Sequence, residues 1–151
     1  MAKIKWHKTV DISAPIEDVF HLFNVENFSQ IKPEFKNVQV VRETNEKIGS
    51  KYKVTHEEQG KTIKYIVHLD DFKNCETSKM MRFSYTISRF FEKDIQYNLM
   101  KKSQDETTLI YSGEMRGKYV IGNMILKLLS KSHHDKSIEA LLTRIQNIYK
   151  K

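Results

Sequence analysis

Six successive runs of alternating apolar and polar residues between Val38 and Tyr111 constrain this chain more than any other feature of its sequence. Alternation with a period of two is typical of β-strands that bury one face and expose the other. Short polar connections between such runs favour antiparallel neighbours, so we predict an antiparallel meander with one apolar face. Its inward-facing positions are Val38 and Val40; Tyr52, Val54 and His56; Ile63, Tyr65, Val67 and Leu69; Met81, Phe83, Tyr85 and Ile87; Ile95, Tyr97 and Leu99; Leu109 and Tyr111.

A further strand and two short helices precede this meander. After the strand, Ser13 is suited to cap a helix and Pro15 to occupy its first turn. A second short helix or turn follows and is expected to stop at Pro33. The apolar positions are Ile4, Trp6, Val10 and Ile12 in the strand, and Ile16, Val19, Phe20 and Phe23 on one face of the first helix. The sheet is therefore predicted to have seven strands.

The last part of the chain, from about Val120 to Tyr149, predicts one long helix whose apolar stripe changes direction. The two stripes are offset by roughly 100° across Ser130–Ser137, so the helix bends or its halves pack on different surfaces. They comprise Val120, Ile121, Met124, Ile125, Leu128 and Leu129, and then Ile138, Leu141, Leu142, Ile145, Ile148 and Tyr149. An apolar sheet face and a long helix bury each other best when the sheet curves around the helix, which is an α+β arrangement.

Composition narrows the classes of protein. We expect residues 1–151 to form one domain. No apolar run approaches the ~18 residues of a membrane span or resembles a signal peptide, so we expect a cytoplasmic protein. Cys75 is the only cysteine, which excludes an internal disulfide and a cysteine-rich zinc site. The net charge of +7 comes from lysines scattered along the chain. This scatter indicates solvated surface rather than a specific nucleic-acid site, and it leaves open a transient contact with an anionic surface.

The order of elements, together with several local motifs, resembles the START-like (SRPBCC) superfamily and its helix-grip fold, in particular the polyketide cyclase/dehydrase-like branch. The matching positions are Ile12, Ser13-Ala14-Pro15, Val19-Phe20, residues 28–33, IGSKYKV and SGEMRGKY. The absence of tryptophan from NVENFSQIKPEF counts against the co-chaperone-activator branch. The resemblance implies a cavity between the concave sheet and the long helix, in which family members bind lipids, sterols, polyketides or hormones. The motifs that carry the resemblance concern fold rather than function, and we expect no cofactor.

The tyrosines are the most informative inward-facing residues. Five of the seven fall on the apolar phase of five different strands. A buried phenol needs a hydrogen-bond partner or costs about 1–3 kcal/mol, so such residues favour an amphipathic pocket, although tyrosine is also a common strand residue. The candidate ligand-binding residues are Tyr52, His56, Tyr65, Phe83, Tyr85, Tyr97, Tyr111, Met124 and Leu128.

The stretch SKSHHDKS in the last helix does not have the spacing of a helical metal pair, and we predict no metal there. On the helical wheel, Lys131 and Asp135 are nearest to facing inward, and His134 lies at the edge of the second apolar stripe. The leading hypothesis is binding of a small apolar or amphipathic molecule, lipid-, polyketide- or isoprenoid-like. A cyclase or dehydratase that uses Tyr, His56 or Asp135 for proton transfer is the alternative. A protein- or ribosome-interaction module is a weaker one, and the sequence does not fix an oligomeric state.

Overall fold

The structure is a computed structural model that describes residues 3–128 and 131–150, without the side chains of residues 126–128 and 131–133. Seven strands form one antiparallel sheet in the order β1-β7-β6-β5-β4-β3-β2, which confirms the predicted meander and places β1 beside β7. The strands are β1 (Lys3–Ile12), β2 (Phe35–Arg42), β3 (Lys51–Glu58), β4 (Lys61–Asn74), β5 (Ser78–Ile87), β6 (Phe91–Ser103) and β7 (Glu106–Gly117).

The register of the sheet sets which side chains face the interior. Tyr97 pairs directly with Tyr111, and Tyr85 pairs directly with Lys93. Irregular pairing interrupts the ladders in β2, between Leu69 and Asp71 in β4, and near the end of β6. Such bulges bend strands and increase their twist, which lets a sheet this long curve around a helix.

Two short helical segments connect β1 to β2: α1 (Ile16–His21) and a 3-10 helix (Val25–Gln30). The predicted cap at Ser13 is wrong. Pro15 is the residue that precedes α1, no side chain caps the helix, and the amides of Asp18 and Val19 bond to the Pro15 carbonyl. Ile16 and Val19 nevertheless bury the predicted apolar face against the sheet.

The C-terminal part of the chain forms α2 (Tyr119–Leu128) and α3 (Lys131–Ile148), where the sequence predicted one long helix that bends or whose halves pack on different surfaces. Leu129 and Ser130, at the predicted change of direction, lie outside the described residues. The apolar face of α3 is buried in the core through Ile138, Leu141, Leu142 and Ile145. Three polar side chains also tie α3 to the first part of the chain: Arg144 donates to the Ile31 carbonyl, Gln146 to the Asp11 carbonyl and Tyr149 to the Asp18 carbonyl, each at 2.9 Å.

The described apolar side chains in the first turns of α2 face solvent rather than the interior. Val120, Ile121, Met124 and Ile125 are between 39% and 74% exposed. The backbone at this end of α2 instead approaches the β5–β6 turn closely: the Lys118 amide donates to the Phe90 carbonyl, and a Cβ on Gly122 would lie 2.5 Å from the same oxygen. This close approach requires glycine, and it holds the start of α2 by its backbone.

Candidate ligand-binding site

An apolar cavity lies between the concave sheet face and the segment that contains the 3-10 helix. Its volume is about 40 Å³, enough for water but far below the roughly 300–1,000 Å³ of a small-molecule pocket. Six of its lining residues are aromatic, so its walls suit flat or chain-like apolar groups. The cavity is lined by Phe23, Val25, Phe28, Lys32, Phe35, Val38, Tyr52, Val54, Val67, Phe83, Tyr85 and Ile95.

A wider opening adjoins this inner cavity. This opening, which we call the mouth, has a volume of about 400 Å³ and lies beside the 3-10 helix and β2. It shares Phe23, Val25, Val38, Tyr52 and Phe83 with the inner cavity, so the narrow aromatic space is bordered by open space there.

A second space, which we call the groove, has a volume of about 650 Å³ and lies at the β5–β6 turn end of the sheet. Its lining includes Lys64, Ile66 and Ser84, which alternate with the inward-facing Tyr65 and Tyr85. The groove therefore lies mainly on the outer face of the sheet.

Two stacked tyrosine pairs cross the inner face of the sheet. The rings of Tyr65 and Tyr85 lie 4.9 Å apart, and those of Tyr97 and Tyr111 lie 4.8 Å apart. Burial raises the pKa of all four phenols, so each stays protonated at neutral pH. Tyr97 and Tyr111 are sealed in the core, and the Tyr97 hydroxyl has no hydrogen-bond partner among the described residues. The second pair is therefore part of the core, whereas Tyr85 borders both the cavity and the groove.

A carboxylate, an imidazole and a phenol lie in line at the rim. His56 Nε2 is 3.0 Å from the Glu58 carboxylate, and His56 Nδ1 is 3.2 Å from the Tyr65 hydroxyl. In the neutral tautomer that satisfies all three groups, Nε2–H donates to Glu58 and Nδ1 accepts from Tyr65. Phe35 packs beside both rings, with centroids 5.7 Å from His56 and 6.4 Å from Tyr65. The arrangement can hold or transfer a proton at the edge of the aromatic cavity.

Two half-buried lysines face this region. The Lys32 amine lies 5.1 Å from the Phe35 ring centroid, and the Lys93 amine lies 5.5 Å from that of Trp6 and 6.0 Å from that of Tyr85. Burial lowers the pKa of Lys93 to about 8, against the opposing effect of Glu34 and Glu58. Burial also lowers the pKa of Lys32, and the positive charge of Lys93 adds to that effect. Both amines are thus cations held in mainly aromatic surroundings.

Trp6 reaches Lys93 because the residue beneath its ring is glycine. Trp6 on β1 pairs with Gly113 on β7, and the indole lies directly over the Gly113 backbone. A Cβ at position 113 would overlap the indole and lie 2.6 Å from the Asp94 carbonyl oxygen. Only glycine therefore lets the indole lie flat across β7 and contact the lysine on β6.

The structure brings together only part of the predicted site. Tyr52, Phe83 and Tyr85 line the inner cavity, Tyr65 lines the groove, and His56 lies at the rim bonded to Tyr65. Tyr97 and Tyr111 face inward as predicted but are packed into the core away from the open space. Met124 is 59% exposed, the side chain of Leu128 lies outside the described residues, and Asp135 is half-buried on α3.

Several residues of the site were missed by the sequence analysis. Lys93 shares the inward phase of β6 with Ile95, so extending the alternation by one step towards the N-terminus would have found it. Lys32 follows the 3-10 helix, where no periodicity indicates the direction of a side chain. The wall residue Phe28 belongs to the 3-10 helix itself, and Phe35 is the first residue of β2, before the predicted alternation begins at Val38.

No helix within residues 3–128 and 131–150 is long and apolar enough to cross a membrane. In the same part of the chain, no three His, Cys, Asp or Glu side chains lie close enough together to hold a metal ion.

A curved antiparallel sheet around a C-terminal helix, with two short helical segments after the first strand, defines the helix-grip class of folds. The solved structures that share it with this chain include the following three. A START superfamily protein from Mycobacterium smegmatis has a TM-score of 0.73 and 18% identity over 96% of both chains. Ara h 8.0201 has a TM-score of 0.71 and 14% identity over 98% of both chains. The Zhui aromatase/cyclase from Streptomyces sp. R1128 has a TM-score of 0.70 and 12% identity over 95% of this chain and 94% of its own.

The chain therefore has the START-like (SRPBCC) helix-grip fold, as its sequence motifs indicated. No protein-family model and no curated protein sequence matches it.

Proposed function

We propose that this protein binds a small amphipathic molecule in the aromatic cavity between the sheet and the segment that contains the 3-10 helix, with residues 1–151 acting as one binding domain. The observation that carries the proposal is the aromatic cavity that adjoins open space at the mouth. Close-packed cores rarely contain voids larger than a water molecule, and they have no need of lysines along their walls. The similarity to a START superfamily protein and to an aromatase/cyclase supports the same class of function.

Native mass spectrometry of the purified full chain, followed by organic extraction, tests this proposal. We expect a bound species that dissociates on denaturation and is recovered in the organic phase. The matched variants are Val25→Trp and Val41→Trp. Val25 is half-buried and borders both the inner cavity and the mouth, so a tryptophan there obstructs the passage. Val41 is 55% exposed and borders neither space.

The Val25→Trp variant should fold, as judged by circular dichroism, and lose the bound species, whereas Val41→Trp should retain it. If no species is found in the wild type, and added apolar dyes also fail to bind, the proposed function is wrong.

A second candidate function, proton transfer on the bound molecule, rests on the line of Glu58, His56 and Tyr65. The earlier candidate Asp135 makes no described contact with this line. The test compares the exact masses of the molecules extracted from wild type and from His56→Gln. A conversion that depends on His56 predicts different species in the two extracts. Identical species indicate binding without conversion.

A further inference from the structure

Three polar side chains bound one end of the aromatic cavity. Lys32 and Tyr85 line the inner cavity, and the Lys93 amine lies 6.0 Å from the Tyr85 ring centroid and 5.5 Å from that of the buried Trp6. Tyr85 and Lys93 are direct cross-strand partners on β5 and β6, so the sheet register places them side by side. The two amines and the phenol therefore face the same end of the cavity from two different walls, since Lys32 comes from the segment opposite the sheet.

The charges of the two lysines are not matched within the described part of the chain. Neither Lys32 nor Lys93 has a carboxylate within ion-pair distance there, whereas the inward-facing Lys79 has one, that of Glu17. The nearest acidic influences are Glu34 and Glu58, and Glu58 is already bonded to His56. Two like charges in aromatic surroundings disfavour each other, and each lacks much of its water. An anion between them would relieve both costs.

We propose, on the basis of the function proposed above, that the bound molecule carries an anionic oxygen group that lies between the amines of Lys32 and Lys93. Its apolar body would occupy the aromatic cavity. Burial raises the pKa of the Tyr85 hydroxyl, which therefore remains a donor to the same group. Two ammonium groups and a phenol suit a carboxylate, a sulfonate or a phosphate ester, and they offer little to a neutral sterol or alcohol.

Two dyes that share one aromatic body test the inference on the full chain. One is 8-anilinonaphthalene-1-sulfonate, which is anionic, and the other is N-phenyl-1-naphthylamine, which lacks the sulfonate. Fluorescence titration should show that both bind the wild type. Replacing either lysine by methionine keeps the apolar stem and removes the charge. We expect Lys32→Met and Lys93→Met each to raise the Kd of the anionic dye about tenfold and to change the Kd of the neutral dye by less than about twofold.

The matched control is Lys53→Met, which removes the same charge from an exposed position on β3. It should leave both dyes unchanged, which separates a local anion site from the general attraction of a basic protein for anions. Parallel losses for both dyes in the Lys93→Met variant, or no loss for either, would overturn the inference. Failure of both dyes to bind the wild type would instead overturn the proposed function.

A second measurement needs no variant. Among the described residues, Lys32, Glu34, Glu58 and Tyr85 influence Lys93. His134 on α3 packs against Trp6, the ring that the Lys93 amine contacts. The pKa of Lys93 is about 8, so the amine loses its charge as pH rises through that value. The affinity of the wild type for the sulfonate dye should therefore fall several-fold between pH 7 and 9.5, while that for the neutral dye stays level. A level profile for both dyes contradicts the inference.

Displacement of the anionic dye identifies the head group. Dodecanoate, dodecyl phosphate and dodecanol share one apolar chain and differ only at its end. Stronger displacement by either anion than by dodecanol supports the inference, and the better of the two distinguishes a carboxylate from a phosphate ligand. Equal displacement by all three contradicts it.

Discussion

The β5–β6 hairpin carries an inward-facing lysine near each of its ends, and the two ends differ in how they accommodate the charge. Lys79, near the start of β5, is 3% exposed. Its amine is 2.9 Å from the Glu17 carboxylate on α1, bonds to the Asn74 side chain and lies 5.0 Å from the Phe20 ring centroid. Lys93, near the turn, contacts aromatic rings but no described carboxylate. The first lysine completes its interactions within the protein, and the second does not.

This difference separates a structural lysine from one that is available to a ligand. Proteins commonly retain a destabilising group where function requires it. If Lys93 is such a group, its removal should stabilise the fold, whereas removal of Lys79 should weaken it.

The largest expected effect is the difference in stability between Lys79→Met and Lys93→Met. At pH 7 we expect Lys79→Met to lose about 1 kcal/mol, because the link from α1 to β5 and the bond to Asn74 disappear. We expect Lys93→Met to gain about 2 kcal/mol, because an amine that is costly to bury is replaced by an apolar side chain of similar length. Urea unfolding measures both values. A loss of stability in Lys93→Met would mean that this lysine is structural as well.

The second prediction concerns pH. The pKa of Lys93 is lowered to about 8 in the folded protein from an ordinary 10.5, so above pH 8 the unfolded chain binds more protons than the folded one. The free energy of unfolding should therefore rise with pH, by about 2 kcal/mol between pH 7 and 9.5. Lys32 contributes in the same direction, since its pKa is also lowered. Above pH 10 the buried tyrosines, whose pKa values are raised, reverse the trend.

Lys93→Met serves as the control for this profile. Its stability should change much less than that of the wild type between pH 7 and 9.5, with only the contribution of Lys32 remaining. Parallel profiles for the two proteins would exclude Lys93 as the source of the pH dependence.

The smallest expected effect comes from Glu17→Gln. The Glu17 side chain is 69% exposed, so water takes over much of the role of its ion pair with Lys79. We expect a loss of no more than about 0.5 kcal/mol in thermal or urea unfolding, and less still at high salt. A loss several times larger would show that the compensation of Lys79 depends mainly on this carboxylate rather than on Asn74 and Phe20.

The strands were predictable from sequence because their period of two is enforced by burial on one face only. The positions of Tyr52, Tyr85 and Tyr97 followed from that period alone. The cap of α1 was not predictable, since Ser13 and Pro15 both suit a helix start and only the chain geometry selects the proline. The exposure of Met124 was not predictable either. The backbone contact between Gly122 and Phe90 positions the start of α2, and the pattern of apolar residues along a helix does not predict such a contact.

The candidate site was harder to predict than the fold for a physical reason. Alternation tells which side chains face inward but not which of them border open space, so the sealed Tyr97 and the cavity-lining Tyr85 look alike in sequence. From sequence alone, a lysine at an inward-facing position is predicted to be exposed to solvent, because its neighbours in the fold are not known. The proximity of Lys32 and Lys93 depends on the pairing of Tyr85 with Lys93 and on the path of the irregular segment that carries Lys32, and neither follows from the sequence pattern.

The small size of the inner cavity has a consequence for the kinetics of binding. A volume of about 40 Å³ admits no molecule larger than a few waters unless the aromatic walls move apart. Phe28 comes from the 3-10 helix outside the sheet, and displacing it does not break the strand ladder, whereas Phe35 is the first residue of β2 and pairs with His56. Association would then proceed through a rarely populated open form, and its observed rate would level off at high ligand concentration. For the same reason, dissociation would be slow, and the protein would act as a long-lived carrier rather than a rapidly exchanging buffer.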